Sequence, residues 1–326
     1  MKKERPAFIK DKVSPVFYRM FYWYSLTLFR RRFRRVWIDD SVHPPGGTSV
    51  LFVGTHNSWW DGMIPLLMNE ASFGLDARAI MDEQQLRRYP FFRYLGVYSI
   101  NRDYPLRAMK SLEYTVRLLN NSTEEHPVGI WAYPEGKLVN PHKAVTLESG
   151  LAWLSRHIDP EKCEIIPFTS HMHTMRGDKP ELFIKLGNPI GPKIYRSGHV
   201  LAHVTYTLEE LRKSCRETSG NFDEDGYPQG GFRLLLGREP KAPEAPLPDP
   251  DEMTGDGQDA IKSDESDSSG QKETTTGSES DAATGESGDK RPEPKGMDDP
   301  SPAGSAADKA EPSGLDDSTK GNQGSR

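Results

Sequence analysis

The chain has 326 residues and a formal net charge of −6. Its two cysteines, Cys163 and Cys215, are too few for a disulfide framework, and no run approaches the ~20 apolar residues that span a bilayer. The charge is unevenly placed: residues 241–326 carry 21 acidic and 9 basic side chains and no aromatic, so residues 1–240 are net +6.

The basic start, MKKERPAFIKDK, lacks the apolar stretch and small-residue cleavage site of a secretory leader, so the cytoplasmic side of the membrane is the expected location. Ser14 before Pro15 reads as a helix N-cap with proline at the first helical position. Phe17, Tyr18, Phe21, Tyr22, Trp23 and Tyr24 follow, and then RRRFRR, five arginines around Phe33. Residues 1–35 carry 11 basic and 2 acidic side chains. Aromatic rings favour the bilayer interface, and arginines beside them pair with anionic head groups. Residues 1–40 are therefore expected to be a basic, aromatic, amphipathic segment that lies on the membrane surface, peripheral or monotopic. Two other readings use the same residues: a helix packed on the domain with its arginines solvated, and stacking on nucleic acid. Membrane docking is preferred, with no nucleic-acid partner.

Residues 41–236 alternate between strand and helix patterns. SVLFVGT, ARAIM, VYSIN, VGIWAY, EIIPFT and ELFIKLG read as strands. WDGMIPLLMN, the stretch around DEQQLRRYPFFRYLG, residues 105–120, residues 144–158 and YTLEELRKSCRE read as helices. This predicts an α/β domain, a mixed and mostly parallel sheet covered by helices, with its chemistry in loops beyond the strand ends. Residues 237–326 cannot bury enough apolar surface to offset an ordering cost of roughly 1–2 kcal/mol per residue, and read as a disordered acidic tail.

Four strand ends carry candidate residues. After SVLFV comes THNSWWD, where Ser58 and Asp61 have the spacing of a capping box. That role accounts for Asp61 by itself. The same turn also brings Asp61 to His56, where it can fix the imidazole tautomer and leave the other nitrogen as a general base. VYSIN leads into Arg102, whose fork suits phosphate. WAYPEGK supplies Glu135, Gly136 and Lys137, with Gly136 permitting close approach of backbone to a ligand. EIIPFTS puts Pro167 after a fourth apolar strand. HMH at 171–173, even with His142, has no further ligand at a recognised spacing, so no metal is expected. There is no GxSxG nucleophile elbow.

This ordered set resembles the glycerolipid acyltransferase family of the lysophosphatidic-acid (1-acylglycerol-3-phosphate) type. Its NHxSxxD block is matched by THNSWWD with threonine leading, and its second block by GVYSINR at 96–102. Its FPEGTRS block is matched only as YPEG, with Lys137 in place of the usual threonine or serine, and its fourth block by IIP. IKLGNPI at 184–190 is similar to the family's late strand and turn. The resemblance implies an O-acyltransferase that moves a fatty acyl group from acyl-CoA or acyl carrier protein to a lipid hydroxyl, without a cofactor. His56 and Asp61 would be catalytic, and Arg102, Glu135, Gly136 and Lys137 would bind the acceptor. The leading acceptor is 1-acylglycerol-3-phosphate. A glycosylated or hydroxylated lipid without phosphate is the alternative, because the usual threonine and arginine are missing beside Lys137. The rival from another class is a catalytically inactive membrane-surface binding protein with the same fold.

Overall fold

The computed structural model describes residues 8–240, so the expected acidic tail lies outside the described residues apart from its first four. The strands are β1 (Arg35–Asp39), β2 (Ser49–Gly54), β3 (Asp76–Asp82), β4 (Val97–Ile100), β5 (Val128–Ala132), β6 (Cys163–His173), β7 (Glu181–Leu186) and β8 (Arg233–Gly237). They form one sheet in the order β4-β3-β5-β2-β6-β7-β1-β8. From β4 to β6 all neighbours are parallel, whereas β6–β7 and β1–β8 are antiparallel. The expected mixed, mostly parallel α/β sheet is therefore present. The helices are α1 (Pro15–Arg32), α2 (Ile64–Met68), α3 (Glu83–Arg88), α4 (Pro105–Asn120), α5 (Gly150–His157), α6 (Pro192–Tyr195) and α7 (Val200–Ser219).

The central strands read as continuous apolar runs because both of their faces are covered. Alternation along each strand divides the core. Leu51, Val53, Ile130 and Ile165 face a layer that includes Leu112 of α4, Leu151 of α5 and Val204 of α7. Val50, Phe52, Trp131, Ile166 and Phe168 face Phe29 of α1 and Leu67 of α2. Phe52 and Trp131 stack at 4.4 Å across β2 and β5, which fixes the two strands whose ends hold the site.

Several elements differ from the sequence reading. Strand β1 lies inside residues 1–40, the span read as a membrane-associating segment, and it pairs with β7 and β8 in the sheet. Strand β8 ends at Gly237, the first residue assigned to the tail, and its pattern went unread because it is short and only half-buried. The helix expected over 144–158 begins only at Gly150. Ahead of it, Val145 N–H donates to Glu209 and Glu148 N–H donates to the Pro134 carbonyl, and these tertiary bonds draw the chain out of helical geometry. Pro167 lies within β6, not after it. It sits beside the change of partner, since β6 pairs with β2 through Phe168 and with β7 from Phe168 onward.

Helix α1 begins as its sequence suggests, with Ser14 Oγ accepting from Phe17 N–H at 3.4 Å. Its Ser25, Leu26 and Phe29 are buried against the domain. Val16, Met20, Trp23 and Tyr24 nevertheless remain exposed, so α1 has apolar side chains on more than one side. Phe17 and Phe21 pack on Phe91, Phe92 and Tyr94 of the turn before β4, which extends the aromatic surface beyond the helix. Among the described residues no helix is long and apolar enough to cross a membrane.

Candidate active site

The parallel strands β2, β4 and β5 bring their C-terminal ends to one edge of the sheet, with β2 and β5 adjacent. His56 follows β2, Arg102 follows β4, and Glu135, Gly136 and Lys137 follow β5. Adjacency of β2 and β5 places Glu135 beside His56, although 79 residues separate them.

Ser58 caps a single turn of 3-10 helix, Trp59–Gly62, and the reciprocal capping box with Asp61 is formed. Asp61 is buried, and its Oδ2 accepts from the backbone N–H groups of Asn57 and Ser58, both at 2.7 Å. Oδ1 accepts from Ser170 Oγ at 2.7 Å. His56 Nδ1 lies 3.2 Å from Oδ2. With Asp61 acting as the acceptor in all its other bonds, the Nδ1 hydrogen belongs on His56. Nε2 is then left with its lone pair. His56 is 24% exposed at its side chain and Asp61 1%, so the imidazole reaches solvent while the carboxylate does not.

The loop after β5 surrounds this pair. Glu135 Oε2 accepts His56 N–H at 2.7 Å, and Val139 N–H donates to the His56 carbonyl at 2.8 Å. The Tyr133 ring stacks on the imidazole with centroids 4.6 Å apart, and its hydroxyl donates to the Asp61 carbonyl. Glu135 is only 4% exposed, and its Oε1 has no hydrogen-bond partner among the described residues. Burial pushes its carboxyl above the usual glutamate range, against the opposing pull of its bond to His56 N–H and of Arg212.

Gly136 has φ +70°, and a Cβ there would lie 2.2 Å from Arg102 Nη1, so the guanidinium rests against bare backbone. Among the described residues, the only ion pair of Arg102 is with the exposed Glu148, at 3.4 Å, a contact that solvent screens. Lys137 is exposed on the same turn. Of the sequence-predicted residues, Asp61 and Glu135 thus meet His56 and Arg102 lies against Gly136, with one difference in kind. Glu135 is buried and turned to the His56 backbone, whereas Arg102 and Lys137 are open to solvent.

Tyr133, Ser170 and Val139 were not singled out from the sequence. Ser170 could have been found by strand alternation, three residues beyond the IIP block. Val139 acts through its backbone and leaves no signal in residue type. The HMH stretch has structural duties: His173 stacks on Phe183 and its Nε2 lies 2.9 Å from the Ser219 carbonyl. His171 is pushed down to about 4 by burial, then by His173, Arg216 and His142. Among the described residues no group of three or more His, Cys, Asp or Glu is placed to hold a metal ion.

Residues 35–171 match the family model described as acyltransferase. Among solved structures, the chain is similar to the 1-acyl-sn-glycerophosphate (LPA) acyltransferase PlsC from Thermotoga maritima. The match has 18% identity and a TM-score of 0.43, covering 63% of this chain and 81% of that one. No curated protein matches the chain. The matched segment runs from β1 into β6 and contains each of the four loop and strand blocks singled out in the sequence.

Proposed function

We propose that the chain is a glycerolipid O-acyltransferase that moves a fatty acyl group from acyl-CoA or acyl carrier protein to a hydroxyl of a lysophospholipid-like acceptor. The leading acceptor is 1-acylglycerol-3-phosphate. The observation that carries this reading is the His56–Asp61 pair, with Asp61 buried, fully engaged as an acceptor and 3.2 Å from Nδ1. His56 Nε2 takes the proton of the acceptor hydroxyl as its oxygen attacks the thioester carbonyl. The new C–O bond forms, the C–S bond breaks, and the imidazolium returns the proton to the departing thiolate. No acyl-enzyme is needed.

Arg102 supplies a charged fork for an acceptor phosphate, and Lys137 a second charge on the neighbouring turn. Both are exposed at the strand-end edge where His56 lies. The exposed Val16, Met20, Trp23 and Tyr24 of α1, together with Arg30, Arg31 and Arg32 at its end, suit docking on an anionic membrane surface from the cytoplasmic side. Such docking brings the site to where long acyl chains reside.

The test is a purified-protein assay with labelled acyl-CoA or acyl carrier protein against a panel of lysolipids, with and without phosphate. His56→Ala should lose about 10²–10⁴-fold in kcat. Equal inactivity of wild type and His56→Ala on every acceptor and with both donors would overturn the enzyme reading in favour of a binding protein. Activity confined to phosphate-free acceptors would overturn the phosphate assignment alone.

A further inference from the structure

The loop after β5 touches the His56–Asp61 pair from four directions. The Tyr133 ring covers one face of the imidazole at 4.6 Å with the rings 27° from parallel. The Tyr133 hydroxyl donates to the backbone carbonyl of Asp61. Glu135 Oε2 accepts the His56 backbone N–H at 2.7 Å, and Val139 N–H donates to the His56 carbonyl at 2.8 Å. His56 is thereby fixed at its N–H, its C=O and its ring, and Asp61 at its main chain as well as its carboxylate.

From this geometry we infer that Tyr133 and Glu135 are positioning residues that hold His56 and Asp61 in reacting alignment, and that Glu135 is not a contact for the acceptor. This rests on the proposed transferase reading, but its structural consequence for His56 does not. Burial of Glu135 at 4% exposure keeps it from ligand charge, while the groups exposed beside it, Arg102 and Lys137, are cations. Its Oε2 needs only to accept an N–H, a task a neutral group can perform. Tyr133 does what phenylalanine at the same position cannot: stacking is available to either ring, but only the phenol reaches the Asp61 carbonyl.

Two kinds of readout separate positioning from acceptor binding. In the kinetic one, Glu135→Gln keeps an acceptor oxygen for His56 N–H and should retain most of kcat, whereas Glu135→Ala should lose up to about 10²-fold in kcat with the acceptor KM within about twofold of wild type. Tyr133→Phe should lose about tenfold in kcat, again without a matching rise in KM. A several-fold rise in acceptor KM for Glu135→Gln at unchanged kcat would overturn the proposal, because it would make Glu135's charge an acceptor contact. The second readout needs no turnover: the imidazole NMR resonances of His56, identified by their loss in His56→Asn, should move in Tyr133→Phe and Glu135→Ala but stay near wild type in Glu135→Gln. Unmoved His56 resonances in Tyr133→Phe and Glu135→Ala would also overturn it. If no acceptor is ever turned over, the transferase reading fails while this spectroscopic test still decides the positioning claim.

Discussion

His56 and Gly136 illustrate how closely single residues are constrained at this site. Gly136 combines a left-handed backbone with the Arg102 guanidinium lying where a Cβ would be. Gly136→Ala should therefore destabilise the protein by about 1–3 kcal/mol and displace Arg102. Thermal melting and the KM for a phosphorylated acceptor report the two effects separately, and an unchanged melt would contradict the strain argument. Arg102→Ala tests the phosphate role without strain: KM should rise for phosphorylated acceptors only, and an unchanged KM would sink that role. The family blocks made these positions legible in the sequence. What they did not convey is that Glu135 faces the His56 backbone, since a buried carboxylate and a solvent-facing one are spelled alike.

At the scale of elements, α1 is tied to the turn that holds Asp61. Trp60, next to Asp61, sits between Phe29 and Phe33 with ring centroids at 5.1 and 5.0 Å, while Trp59 stays 65% exposed. Trp60 is partly buried, so Trp60→Ala should cost about 2–3 kcal/mol, less than a fully buried aromatic, and loosen both α1 and the Asp61 turn. Differential scanning and hydrogen exchange over residues 54–62 would register this, and a local effect with no loss of stability would argue against a packing role. The outer face of α1 invites a different test. A Met20→Glu, Trp23→Glu variant removes exposed apolar side chains without touching the core, so melting should stay within a degree or two while co-sedimentation with anionic vesicles falls. Equal sedimentation of wild type and variant would return the helix to the purely packed role, the less favoured of the readings its sequence allowed. That choice was open in the sequence because an aromatic-rich helix reads the same whether its rings meet protein or lipid; Phe29 and Leu26 are buried in the domain, whereas Met20 and Trp23 are exposed.

For the whole molecule, the buried Glu181 and the partly buried His171 set an expected response to pH. Glu181 is desolvated, but hydrogen bonds from Arg176, Trp37 and Arg35 together outweigh burial and lower its pKa. A lowered carboxylate binds fewer protons folded than unfolded, so its contribution to stability is present above the ordinary glutamate range and lost as pH falls through the folded value. His171 acts in the same direction at higher pH. Its value is pushed down to about 4, against roughly 6.5 for an unperturbed histidine. Stability should therefore decline as pH drops through that interval. His171→Gln should flatten the upper part of the decline and Glu181→Gln the lower part, measured as melting temperature against pH. A wild-type curve flat from neutral to acidic pH would refute both assignments. Glu181→Ala at neutral pH should cost about 3–5 kcal/mol, because it leaves the buried Arg35 without its partner.

Apolar periodicity was enough to define the α/β class and the central strands, since continuous runs such as SVLFV are required wherever both faces of a strand are covered. Turn chemistry likewise defined the Ser58 cap, which depends only on residues close in the chain. Strand order was not available from the chain. It took the sheet to make β2 and β5 neighbours and so to set Glu135 and Tyr133 against His56, and to bring β1 and β8 in from spans read as flanking segments. Local signals report what a residue does to its own backbone; the partners of Asp61, Glu135 and Tyr133 are long-range, and only packing of the whole sheet determines them.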